Sequence, residues 1–205
     1  KALSTSMVIA CMTVALSLIL AIPAGYALSK RSLPMRSLFL LFFLLPQAFP
    51  TVAVHMNIAR IFYGFGLTGT IWGVMLVHAI QGLVFAVWIA SASFAAIGDE
   101  QVEAARNLGA SPLRAFMTIS LPLAAPGLMA SAIFVFLISL DEFSGTFFVG
   151  VPDVRTLPLT MLNAALEGNY QIASITALLL LVPSILFMLF VERFLKADVL
   201  ASVGK

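Results

Sequence analysis

Apolar residues fall in five long runs separated by short polar stretches, approximately Met7 to Leu28, Ser37 to Ile58, Thr70 to Ala92, Leu123 to Leu140 and Ile172 to Phe190. A helix needs about 20 mostly apolar residues to cross the roughly 30 Å of bilayer hydrocarbon, so each run predicts a membrane span. The pattern gives an all-α fold, a polytopic membrane helical bundle of five spans, with residues 1–205 forming one transmembrane domain. Pro23, the pair Pro46 and Pro50, and Pro183 lie inside runs, where each removes a backbone donor and is expected to bend its helix.

Composition agrees with this reading. Hydrophobic residues make up 61% of the chain and charged residues 10%, against about 45–50% and about 25% in soluble domains. The net charge of +2, with cations scattered singly or in pairs, excludes a nucleic-acid surface. The single cysteine, Cys11, sits in an apolar run and is expected to be a small buried thiol. No internal repeat relates the runs.

The Lys and Arg distribution sets the orientation. One set of loops with the C-terminal tail holds Lys30, Arg31, Arg36, Arg106, Arg114, Arg193, Lys196 and Lys205, and the other holds Lys1, Arg60 and Arg155. The positive-inside rule puts the first set and the C-terminus in the cytoplasm and the N-terminus outside. The first run has Pro23 and Gly25 and does not resemble a cleavable signal peptide. A further span upstream, six in all, is therefore expected.

Residues 99–122 form the one substantial cytoplasmic excursion. Gly98 breaks the preceding helix, and Asp99 and Glu100 suit the positive end of a new helix dipole. Gly109 supplies the positive φ that ends that helix, and Ser111 with Pro112 caps and starts another. The spacing predicts helix, sharp turn, helix, with Pro122 and Pro126 marking re-entry into the membrane. This is more structure than a connection between spans requires, and it predicts a docking element.

The loop carries Glu103-Ala104-Ala105, then three residues, Gly109, nine residues, Ile119, one residue and Leu121-Pro122. In this the chain resembles the permease subunits of bacterial type I ABC importers, whose signature has these residues at these spacings. The similarity runs from about Ser4 to Leu195 and is nearest to the permeases of spermidine/putrescine-type uptake systems. The weaker segments that carry this are Ser139 to Phe143, "SLDEF", and Thr156 to Leu159, "TLPL". The resemblance implies that the helix before Gly109 is a coupling helix seated in a cleft of an ATPase subunit. Ala104 and Ala105 would allow close approach, and Glu103, with Arg106 beside it, would offer charge at the rim. It further implies a second permease subunit, identical or not, an external substrate-binding protein, a bacterial inner-membrane location and alternating access driven by ATP.

This chain is not expected to be an enzyme or to bind a cofactor. No G-x-x-x-x-G-K-[ST] stretch is present, so ATP would be bound by the partner. "GFGLTG", Gly64 to Gly69, satisfies a dinucleotide-binding pattern, but between two spans and without the following acid it reads as an external turn. Neither H-E-x-x-H nor G-x-S-x-G occurs, which argues against an intramembrane hydrolase, and a channel or scaffold gives no reason for the loop signature.

Two features outside the loop leave alternatives open. His55 and His78 fall in the outer half of consecutive spans, where they could hold a metal or haem or simply hydrogen-bond between helices; no third ligand type is near and no metal is expected. Asp141 and Glu142 fall near the outer end of the fourth span, either solvated among headgroups or lining the solute pathway. Between Glu142 and Tyr170, Leu159, Leu162 and Leu166 with Met161 and Ala165 share one helical face, which predicts a helix lying flat at the outer surface. A polyamine is the expected solute, with an aminoalkyl phosphonate, an opine, thiamine or ferric iron as alternatives.

Overall fold

A computed structural model describes the backbone of residues 1–30 and 35–203; in the last helix, side chains are described as far as Leu186 and at Leu189. Every regular element is helical: α1 Ala2–Lys30, α2 Arg36–Leu44, α3 Thr51–Gly64, α4 Ile71–Ala95, α5 Asp99–Asn107, α6 Pro112–Ala115, α7 Leu121–Asp141, α8 Ser144–Gly150, α9 Leu157–Leu166 and α10 Tyr170–Val203. A 3-10 turn, Leu45–Ala48, follows α2, and a π-helical turn, Phe116–Ser120, joins α6 to α7.

Helices α1, α4 and α7 form the packed centre. On α1 the buried positions are Ser6, Ile9, Ala10, Thr13, Ser17, Ala21, Gly25 and Leu28, recurring every three or four residues, while Leu3, Val8, Ile19 and Leu20 are exposed. Apart from Ile9 and Leu28, small and hydroxyl-bearing residues thus face inward, while several large apolar ones face outward. In hydrocarbon that is the stable arrangement, because lipid satisfies leucine as well as protein does, whereas small residues let backbones approach and hydroxyls find partners. Gly25 marks a close approach of α1 to α4: a Cβ there would lie 2.7 Å from Ala90 Cβ and 2.8 Å from Ser91 N. Around this crossing Ala21, Leu28, Val87, Phe94, Ala124 and Leu128 make the larger core cluster. A smaller one, Ile9, Val74, Val77, Val149 and Val154, lies toward the opposite end.

Three helices are long and apolar enough to cross a membrane among the described residues: Ala2–Lys30, Ile71–Ala95 and the continuous Pro112–Asp141. The expected span Ser37 to Ile58 is broken instead. Its halves, Arg36–Ala48 and Thr51–Gly64, meet at 94° and make a fourth span only if taken together. Pro46 and Pro50 explain the break, since Pro50 supplies no N–H and pushes Phe49 out of the helical region, to φ −103°, ψ 150°. The isolated prolines do less: Pro23, Pro126 and Pro183 all sit within continuous helices. In α10, Tyr170–Leu186 is the apolar helical length whose side chains are described.

Two further expectations are corrected. Cys11 is exposed on α1 rather than buried, because the inward face of that helix is the one carrying Ala10 and Thr13. The inward face of α9 carries Leu157, Pro158, Leu159 and Ala164, leaving Leu166 76% exposed. The start of α9 is held by α1, where Ser6 Oγ accepts the Leu157 N–H at 2.8 Å. The residues expected to share one face are thus split, with Leu159 buried against the bundle and Ala165 and Leu166 exposed.

Candidate functional site: the 99–122 loop and the polar cluster at the opposite end

The loop folds as its residues predict. Asp99 and Glu100 occupy the first turn of α5 behind Gly98. At its end Gly109 has φ +88°, with Gly109 N–H donating to Arg106 O at 2.9 Å and Ala110 N–H to Ala105 O at 3.1 Å. That pair of bonds is the Schellman closure, which needs a left-handed residue and therefore favours glycine. Ser111 Oγ then accepts the Arg114 N–H at 3.3 Å, with Pro112 in the first turn of α6. Re-entry is one continuous helix: Pro122 has no N–H for the Thr118 carbonyl, and the register widens there to the π turn, in which Leu121 N–H reaches Phe116 O.

No residue of α5 is buried. Glu103, Ala104, Arg106 and Gly109 are exposed and Ala105 is half-buried, so all five expected coupling residues lie on one protruding element. Glu103, Arg106 and Asn107 line a polar recess of about 270 Å³. Beside them Leu108 is 90% exposed and Leu113 69%, an apolar contribution to the surface that the signature residues alone did not disclose. Lys30, at the end of α1, is also near: its Nζ lies 2.7 Å from Asp99 Oδ1 and donates to Ile97 O. Arg31 and Lys205 lie outside the described residues, as do the side chains of Arg193 and Lys196.

At the other end of the bundle Asp141 and Glu142 part company. Asp141 ends α7 and is exposed. Glu142 is extended, φ −73°, ψ 113°, which turns its carboxylate inward to accept from Gly145 N–H and Ser144 O–H, both at 2.8 Å, at the start of α8. His55 on α3 is fully buried, with Nδ1 2.7 Å from Ser144 Oγ and 3.6 Å from Glu142 Oε1. Since the serine proton goes to Glu142, His55 donates from Nδ1, and its Nε2 has no partner among the described residues. His78 on α4 meets Ser139 Oγ at 2.8 Å through Nδ1 and Thr146 Oγ1 at 3.0 Å through Nε2.

The two histidines therefore pin α8 from either side, at Ser144 and Thr146, in hydrogen-bonding roles. No group of three metal-ligating side chains occurs among the described residues. The hydroxyl partners were not identifiable in advance, because serine and threonine are common in spans and only packing selects them. "GFGLTG" is a connection between α3 and α4, with Gly66 and Gly69 at positive φ and Thr70 capping α4 through the Gly73 N–H at 3.0 Å.

The family model described as binding-protein-dependent transport system inner membrane component matches residues 6–197. The trehalose transport system permease protein SugB of Mycobacterium tuberculosis is 28% identical over 220 residues, covering 100% of this chain and 77% of that protein. A putative 2-aminoethylphosphonate transport system permease protein, PhnV, of Salmonella typhimurium is 27% identical over 175 residues, covering 84% of this chain and 66% of that protein. The inward-facing MetNI methionine ABC transporter has the same fold, with a TM-score of 0.72 at 16% identity over 96% of this chain and 94% of that one. With a match over residues 6–197, nearly its whole length, the chain belongs to the family of inner-membrane components of binding-protein-dependent transport systems.

Proposed function

We propose that this chain is the permease subunit of an ABC importer, moving a small solute by alternating access, with α5 as the helix that docks on the ATPase subunit. The observation that carries this is the nine-residue helix α5, none of whose residues is fully buried in its own chain and which is closed at its end by a specific glycine cap. Such a helix is built to be covered by another protein. ATP is bound and hydrolysed by that partner, a second permease subunit completes the pathway, and a substrate-binding protein delivers solute to the end that bears Asp141. The cation asymmetry supports an inner-membrane orientation with α5 and the C-terminus cytoplasmic.

For the solute, the exposed Asp141 carboxylate at the outer end supports a molecule bearing ammonium charge, a polyamine in the first instance. The 2-aminoethylphosphonate relative favours an aminoalkyl phosphonate as the second reading. Co-expression with the ATPase subunit tests the docking role: wild-type protein should co-purify with it, and Glu103→Arg should insert normally but lose both association and uptake. Normal association and uptake in that variant would falsify the role of α5. A thermal-shift screen of the cognate binding protein against spermidine, 2-aminoethylphosphonate and trehalose decides the solute class.

A further inference from the structure

The joint between α4 and α5 is weak by itself. Gly98 precedes α5 without a side-chain cap, a Cβ at Gly98 would touch nothing within 4 Å, and α5 buries no residue. A helix pushed from outside would pivot there, and its displacement would be lost in the joint. The helices above the joint are, by contrast, tightly fixed. Tyr26 stacks edge-on against Phe94 at 5.3 Å and Phe116 at 4.7 Å between centroids, and Gly25 sits against Ala90 and Ser91.

Lys30 bridges the two. It belongs to α1, and its side chain is 12% exposed, laid along the corner. The ammonium donates on one side of the joint to the Ile97 carbonyl and on the other to the Asp99 carboxylate at 2.7 Å. We infer that Lys30 is a positioning residue for energy coupling: it stiffens the Ile97-Gly98-Asp99 corner so that movement of α5 is delivered to α1 and α4 together. The inference rests on α5 being the ATPase-docking helix. Of its two bonds the carbonyl one matters more, because Asp99 is 76% exposed and an ion pair to a solvated carboxylate contributes little.

The test uses the complete transporter in proteoliposomes, measuring uptake of whichever of spermidine, 2-aminoethylphosphonate and trehalose the binding-protein screen selects, and ATP hydrolysed in the same vesicles. Lys30→Met keeps the aliphatic stem and removes both bonds. It should leave ATPase association and hydrolysis near wild type while lowering solute moved per ATP about five-fold or more, the lower end of the roughly 5–150-fold range of coupling between sites. Lys30→Arg, which can still donate, should retain most coupling, and Asp99→Asn, which removes only the solvated ion pair and leaves the carbonyl bond, should stay near wild type. Amide exchange at residues 98–101 should quicken in Lys30→Met. An unchanged ratio in Lys30→Met overturns the inference, and so does a loss of ATPase association, which would make Lys30 a support for folding or docking instead. Normal uptake in Glu103→Arg would remove the underlying coupling reading, a separate outcome read from a separate variant.

Discussion

Glu142 Oε1 lies 3.6 Å from His55 Nδ1, with the Ser144 hydroxyl bonded to both. His55 is the one buried residue of α3, so this contact is the polar part of the attachment of the far arm of the broken span, beside the packing of Ile58, Ala59 and Phe62 on the cluster that includes Val149 of α8. Removing the carboxylate in Glu142→Ala takes away the acceptor for Gly145 N–H and Ser144 O–H. The expected cost is that of a lost helix cap, about 1 kcal/mol, or about 2–4 °C in melting temperature for a chain of this size. Glu142→Gln keeps an acceptor oxygen and should lose less. Equal melting temperatures for wild type and Glu142→Ala in detergent would contradict the capping role.

Asp141 is the complementary case, exposed and at the C-terminal end of α7, where the helix dipole disfavours a negative charge. Asp141→Asn should therefore leave stability unchanged or slightly raised, which separates transport from folding. Uptake of an ammonium-bearing solute should fall in this variant at low salt, and the difference from wild type should shrink at high salt as screening shortens to about 8–10 Å near physiological ionic strength. Equal uptake at low salt would remove the electrostatic role.

Gly109 isolates backbone conformation from packing, because a Cβ there would meet nothing within 4 Å while φ is +88°. A non-glycine residue in the left-handed region costs about 1–2 kcal/mol, more for a β-branched one and less for asparagine. Gly109→Val should lose uptake and ATPase association, and Gly109→Asn should keep a large part of both. The two variants behaving alike would count against the Schellman turn as the determinant.

Gly25 tests the opposite effect. A Cβ at this position meets Ala90 Cβ at 2.7 Å and backbone Ser91 N at 2.8 Å, neither of which can swing away. Gly25→Ala should destabilise by about 1–3 kcal/mol through overpacking. Gly64→Ala, with nothing within 4 Å, is the control and should melt near wild type.

Orientation is measurable with single cysteines in a Cys11→Ser background, which is needed because Cys11 is exposed. Thr68→Cys should react with a membrane-impermeant thiol reagent in intact cells and Gly109→Cys should not. Ser32, the other expected inner position, lies outside the described residues. Labelling at Gly109→Cys from outside would invert the topology.

The chain by itself determined what depends on neighbours along it. The span runs follow from hydrocarbon thickness, and the helix, Gly109, helix loop follows from caps and φ preferences that act within a few residues. The loop therefore appears in the structure as the residues predict, and three of the runs appear as continuous helices long enough to cross a membrane, while the run Ser37 to Ile58 is broken. What only tertiary structure decided concerns which face turns inward and which polar groups meet. The 94° break needs two prolines acting on one segment with little packed against it, whereas Pro23 is held in a continuous α1 by its neighbours. Asp141 and Glu142 are adjacent acids, and only the position of α8 made one a cap and left the other at the surface. Lys30 and Asp99 are 69 residues apart, so their pairing is set by the α1/α4 crossing and carries no mark in local sequence. In a membrane bundle this division is sharper than in water, because lipid accepts any apolar face and the hydrophobic pattern that would reveal an inward side is absent.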